Sequence, residues 1–148
     1  MKDSNPRQQA LRYAFLLLKY RLRSEEEIRQ RLIRKKFDAA FADGIVGFLR
    51  EKKFLDDTVF ARAWIQSRIA RSLGLRRIEQ ELKRKGLHQD IIRVEIAKVK
   101  EQYREDSIIH DIAARRMKQL AGIEPKKAKA RLYQYLARRG FSPDAIVD

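Results

Sequence analysis

Asp56 and Asp57 stand side by side and resemble an acidic dyad of the kind used in general acid–base work. Their setting gives them a plainer job. They precede Phe60, Ala61, Trp64, Ile65 and Ile69, an apolar series at helical spacing, so they read as a helix cap and a helix-dipole partner. Glu81 lies four residues after Arg77 and can accept from it, worth under about 0.5 kcal/mol. Trp64, in phase with the same series, reads as core rather than as a base-stacking platform. His88 and His110 have no partner at metal-ligand spacing, and the chain has no cysteine to join them. The glycines are scattered rather than gathered into a phosphate loop, and no serine or threonine stands in a nucleophile motif. We therefore expect no catalytic residue, no cofactor and no metal.

The basic side chains are the remaining source of chemistry. Arg68 and Arg71 fall three apart, just before Arg76 and Arg77, and Lys83, Arg84 and Lys85 follow. Farther on, Lys126, Lys127, Lys129, Arg131, Arg138 and Arg139 form a second cluster with only Glu124 near it. Arginine forks and lysine ammoniums suit phosphates and carboxylates. A solvated helix face explains any one of them; as a set they are candidate partner contacts. Lys and Arg outnumber Asp and Glu by 35 to 20 over 148 residues, a net charge of +15. That excess draws the chain to polyanions without choosing among nucleic acid, acidic protein and anionic lipid.

The elements that must carry these residues are helices. Helix one, beginning after Pro6, is expected to face its core with Leu11, Ala14, Phe15, Leu18 and Leu22. Ser24 and Glu27 form a capping box for helix two, and Asp38 caps helix three, whose Gly44 and Gly47 suggest close packing. Asp56-Asp57 opens helix four, which stops near Gly74. Helix five carries Ile78 and Leu82 and ends at Gly86, a residue suited to the left-handed position. Helix six runs from about Gln89 to Tyr103. Helix seven starts after Asp106-Ser107 and is expected to bury Ile109, Ile112, Ala113, Met117 and Leu120. Pro125 opens helix eight, Gly140 ends it, and Ser142-Pro143 opens a short ninth.

Helices two, five and eight end alike. Arg31-Leu32-Ile33-Arg34-Lys35-Lys36-Phe37 matches Glu81-Leu82-Lys83-Arg84-Lys85-Gly86-Leu87 and Tyr135-Leu136-Ala137-Arg138-Arg139-Gly140-Phe141, with Lys36 breaking the glycine pattern. The anchors Phe37, Leu87 and Phe141 lie 50 and 54 residues apart, so the chain reads as an all-α array of three three-helix units. The expected units are 1–57, 58–106 and a truncated 107–148. They hold 14 basic and 9 acidic, 12 and 7, and 9 and 4 residues, each unit net +5. No apolar run approaches the roughly 18 residues of a membrane helix. Ala14–Leu18, the best candidate, is flanked by Arg12, Lys19, Arg21 and Arg23. The first residues, without a signal core, read as a short disordered lead into a cytoplasmic protein.

Three segments resemble the RecX family. They are Arg23-Ser24-Glu25-Glu26-Glu27-Ile28 with Leu32; Phe54-Leu55-Asp56-Asp57-Thr58-Val59-Phe60-Ala61-Arg62-Ala63-Trp64 with Arg68; and Gly74 with Arg77-Ile78, Glu81-Leu82 and Lys85-Gly86-Leu87. Leu136-Ala137-Arg138-Arg139-Gly140-Phe141 with Ile146 resembles the family's ending, and Lys53 departs from it where a glycine often precedes the aromatic. The resemblance implies an elongated, curved array of three tandem three-helix units. It implies a bacterial, cytoplasmic regulator that binds the RecA filament on DNA and impairs ATP hydrolysis, strand exchange and coprotease activity, with no membrane partner. Two other readings stand beside it: a basic helical module that binds DNA directly, and an adaptor that grips an acidic protein. A monomer is expected.

Overall fold

The computed structural model describes residues 5–147; of the expected N-terminal lead, Asn5 and Pro6 are instead the cap and first residue of the first helix, and the rest lies outside the described residues. The described residues form nine α-helices and no strand. They are α1 (Pro6–Tyr20), α2 (Glu25–Arg34), α3 (Ala39–Glu51), α4 (Asp57–Ile69), α5 (Leu75–Arg84), α6 (Gln89–Lys100), α7 (Glu105–Gln119), α8 (Pro125–Arg138) and α9 (Pro143–Val147). Helices in extensive contact are all members of one consecutive trio, so the chain folds as three three-helix units.

Local chemistry sets the boundaries. Ser24 Oγ accepts from the Glu27 N–H, and Glu27 reaches back to the Ser24 N–H, a complete capping box. Asp38 caps α3, Asp56 caps α4 and Glu124 caps α8, each side-chain oxygen accepting a backbone N–H of the first turn. Gly86 and Gly140 end α5 and α8 in the left-handed region at φ +82° and +101°. Lys36 takes the same conformation at φ +80°, so the first unit's middle helix ends like the other two despite its side chain.

Each unit has its own core. Ile28, Leu32, Ile45 and Leu49 centre the first; Phe60, Ile65, Ile78, Leu82 and Ile92 the second; Ile109, Ile112, Leu136 and Phe141 the third. Four expectations are corrected. On α1 the buried stripe is Ala10, Ala14 and Leu17; Phe15 and Leu22 are exposed, because the two alanines let the helix approach closely along that stripe. Met117 on α7 is also exposed. Gly44 and Gly47 permit no close packing, since a Cβ at Gly44 meets open space and one at Gly47 only ordinary contact. Helix α7 begins at Glu105 rather than after Ser107, so that Glu105 and Asp106 stand in its first turn, where acidic side chains favour the helix dipole.

Candidate polyanion-binding face and the joints behind it

Neighbouring units are linked by the ends of their middle helices, and the same joint is built twice. At the first, the Lys85-Gly86 end of α5 meets the N-terminus of α2. The buried Ser24 hydroxyl donates to the Lys85 carbonyl at 2.7 Å, and Lys85 Nζ pairs with Glu27 at 2.9 Å. Asp57, at the start of α4, accepts from the Glu25 N–H at 2.9 Å. At the second, the Arg139-Gly140 end of α8 meets the N-terminus of α5. The Gly74 N–H donates to the Arg139 carbonyl at 2.8 Å, and the Arg76 N–H to the Gly140 carbonyl at 3.2 Å. Glu105, at the start of α7, accepts from the Leu75 N–H at 3.0 Å. Glycine is needed at the contact: a Cβ on Gly86 would overlap the Glu26 side chain, and one on Gly140 would overlap Arg77. Gly74 lies so close to the Gly140 backbone that it too has no room for one.

This geometry sorts the basic residues singled out from sequence. Four are committed to structure. Arg68 donates to Glu81 at 2.9 Å and lies 4.1 Å over the Trp64 ring. Arg77 donates to Glu81 and to the Arg138 carbonyl. Lys85 holds Glu27, and Arg139 donates to the carbonyls of Arg71 and Ser72. Trp64 is half-buried against Phe60, and its ring N–H donates to Glu81 at 3.0 Å. The side chains of Arg71, Arg76, Lys83, Arg84, Lys126, Lys127, Lys129, Arg131 and Arg138 are exposed and have no hydrogen bond or ion pair within the described residues.

Arg76, Arg84 and Arg138 are brought together with Arg77 in a groove of about 490 Å³ beside the second joint. A smaller groove of about 250 Å³ beside the first joint takes Arg23, Arg31, Arg34 and, from the next unit, Arg84. Arg34, Arg84 and Arg138 hold the same place in their units, and Arg84 lines both grooves. Lys126, Lys127 and Lys129, near the start of α8, and Arg131, at its middle, line neither groove. Arg23, Arg31 and Arg34 were not among the residues predicted from sequence. The signal was present in the aligned helix endings, where Arg34 stands opposite Arg84 and Arg138.

Electrostatics separates joint from groove. Burial pushes the Glu27 carboxyl up, but hydrogen bonds from Arg21, Lys85 and the Ser24 N–H outweigh it and bring its pKa down to about 2. Glu81, also raised by burial, is held below the usual carboxylate range by Arg68, Trp64 and Arg77. Burial and the neighbouring Arg21 charge lower the Arg23 guanidinium, whose buried Nε has no partner among the described residues. Glu27 and Glu81 also line the grooves, but Glu27 is held by Arg21 and Lys85 and Glu81 by Arg68 and Arg77, which leaves Arg34, Arg76, Arg84 and Arg138 as unpaired cations there. Such an arrangement can hold anionic groups; among the described residues no cluster able to bind a metal is present.

Comparison with known proteins gives a consistent result. Family models described as the first, second and third three-helix domains of RecX match residues 10–49, 56–94 and 104–148. A protein of Halorhodospira halophila named Regulatory protein RecX is 31% identical over 99% of this chain and 89% of its own length. One of the same name from Amycolatopsis mediterranei is 30% identical over 86% of this chain and 73% of its own. The crystal structure of RecX from Lactobacillus salivarius has the same fold: TM-score 0.83 at 18% identity, covering 95% of this chain and 92% of that one.

Proposed function

This chain belongs to the RecX family of regulatory proteins, and from that premise we propose that it binds the RecA filament on DNA and restrains RecA's ATP hydrolysis, strand exchange and coprotease activity. The observation that carries the reading is the row of unpaired arginines, Arg34, Arg84 and Arg138, repeated once per unit beside consecutive joints. A row at repeat spacing suits a partner that is long, negatively charged and itself repetitive. Arginine's planar fork grips phosphate or carboxylate with two parallel hydrogen bonds. Protein contacts supply selectivity in this reading, and the +15 charge speeds encounter and adds contact with DNA phosphate. The units are assigned to α1–α3, α4–α6 and α7–α9, so their boundaries fall at Asp57 and Glu105, one and two residues before the expected 58 and 107, and the protein acts as a monomer in the bacterial cytoplasm. No helix of the described residues is long and apolar enough to cross a membrane.

The test is RecA's single-strand-DNA-dependent ATPase rate during titration with this protein, beside an unrelated DNA-dependent ATPase at matched salt. Selective loss of RecA turnover is expected. Equal loss in both assays would move the second reading, direct binding of DNA by a basic helical array, to the front; the even +5 charge of each expected unit supports that alternative.

A further inference from the structure

At and beside the first joint, three cations share two carboxylates. Glu27 accepts from Arg21 at 2.7 Å and from Lys85 at 2.9 Å, and Glu81 accepts from Arg68 at 2.9 Å. The second joint keeps the cations and loses the acids. Helices α2 and α5 have the same length and register, so Arg71 stands for Arg21 and Arg77 for Glu27. The shared endings of α5 and α8 put Arg139 in the place of Lys85 and Tyr135 in the place of Glu81. Helices α4 and α7 align on Asp57 and Glu105, the carboxylates that each accept from the neighbouring unit, and this puts Arg116 in the place of Arg68.

Those arginines meet in a cleft of about 390 Å³, which Arg71, Ser72, Arg115, Arg116, Tyr135 and Arg139 line together with no acidic residue. It shares no residue with either of the arginine grooves described above. Arg71 and Ser72 come from the second unit and the rest from the third, so the cleft straddles the joint. The Arg116 guanidinium lies 3.9 Å over the Tyr135 ring, and Gln119 accepts from it at 3.3 Å. Arg139 is anchored on the carbonyls of Arg71 and Ser72. The Arg116 Nε–H, whose counterpart on Arg68 donates to Glu81, is buried and has no acceptor among the described residues. A buried donor on a charged group is costly to leave unpaired. Arg71 and Arg115 are exposed, with no hydrogen bond or ion pair within the described residues.

We propose that this cleft binds a phosphate group, which supplies from outside the negative charge that Glu27 and Glu81 supply at the first joint, and so fastens the third unit to the second. Phosphate suits it in charge and in shape. A doubly charged anion replaces the two lost carboxylates, and its oxygens match the arginine fork with parallel hydrogen bonds. The stacked Arg116 and the anchored Arg139 are held in place before any ligand arrives, so little side-chain freedom is lost on binding. A free phosphate ester and the backbone of a nucleic acid strand share this chemistry. The inference is independent of the RecA reading, whose row of Arg34, Arg84 and Arg138 lies outside the cleft.

The test is titration of the full-length protein with inorganic phosphate, at ionic strength held constant with chloride, followed by backbone amide shifts. Saturable binding is expected, with slower hydrogen exchange at the Gly74 amide of the second joint and no change at the Glu25 amide of the first. Two variants disable the cleft in opposite ways. Arg116→Gln removes a cation, and Tyr135→Glu gives Arg116 the internal carboxylate that Arg68 has. Each, once shown to keep parental helical content, should bind phosphate about tenfold or more weakly. Lys118→Gln removes the same charge from α7 outside the cleft and should bind as wild type does. If saturation instead needs a single-stranded oligonucleotide without terminal phosphates, and both variants lose it, the strand backbone is the source. Saturation by neither probe, binding that survives unchanged in either folded variant, or equal loss in Lys118→Gln would overturn the inference.

Discussion

Arg84 is the side chain at which the two grooves meet, and nothing within the described residues pairs with it. Arg84→Glu should therefore weaken binding to the RecA filament more than Arg131→Glu, which lies off both grooves, while leaving the unfolding free energy within about 0.5 kcal/mol of wild type. Comparing filament affinity and urea unfolding for the two variants checks this. Leu82, with no exposed surface, is the opposite case. Leu82→Ala should cost roughly 2–5 kcal/mol in unfolding free energy without touching a groove residue. Glu27 gives a pH dependence. Its folded pKa lies below its unfolded value, so its contribution to stability is complete above about pH 4.5 and falls away as the pH drops towards 2. Wild type should lose more stability over that window than Glu27→Gln, which has no carboxyl to protonate; acid titrations followed by circular dichroism would show it. At this scale the sequence was legible where a side chain acts on its own neighbourhood: Ser24, Glu27, Asp38 and Asp56 cap as their spacing foretold. It was silent where a side chain acts at a distance. Nothing in the local pattern says that Asp57 receives the Glu25 N–H, or that Lys85 spends its charge on Glu27.

The middle helices carry the architecture. Each end closes its own unit, and those of α5 and α8 also dock on the preceding one, which is where glycine recurs together with lysine or arginine. The recurrence itself was readable as text. Its meaning was not, because the bonded partners lie 58 to 68 residues apart and no periodicity records such a pairing. Gly140→Ala should place a methyl against Arg77 and destabilise the second joint by about 1–3 kcal/mol. The third unit buries far fewer apolar side chains than either neighbour. Its α7 and α8 amides should exchange before those of α5 in native-state hydrogen exchange, and earlier still in the Gly140→Ala variant.

As a whole the molecule is a strong polycation, and some of its acids are drawn into ion pairs at and within its units, such as Glu27–Lys85, Glu81–Arg68 and Glu95–Arg62. Association driven by the remaining cations should weaken steeply with salt, as a straight line of log affinity against log salt concentration. Replacing Arg34, Arg84 and Arg138 together with Gln should flatten that slope, and fluorescence titration at several salt concentrations measures it.

The joints also impose an order in time. Every helix packs first against helices close by in the chain, whereas the first joint needs Lys85 to find Ser24 and the second needs Arg139 to find Ser72, closures of 61 and 67 residues. On the ribosome the first trio can collapse as soon as it emerges, yet the N-terminus of α2 must stay undocked until Lys85 has been made, 34 residues beyond the end of α3 at Glu51. Assembly therefore advances from the N-terminus like a zip fastener, each new unit locking the one before it, and the third unit is the last to close.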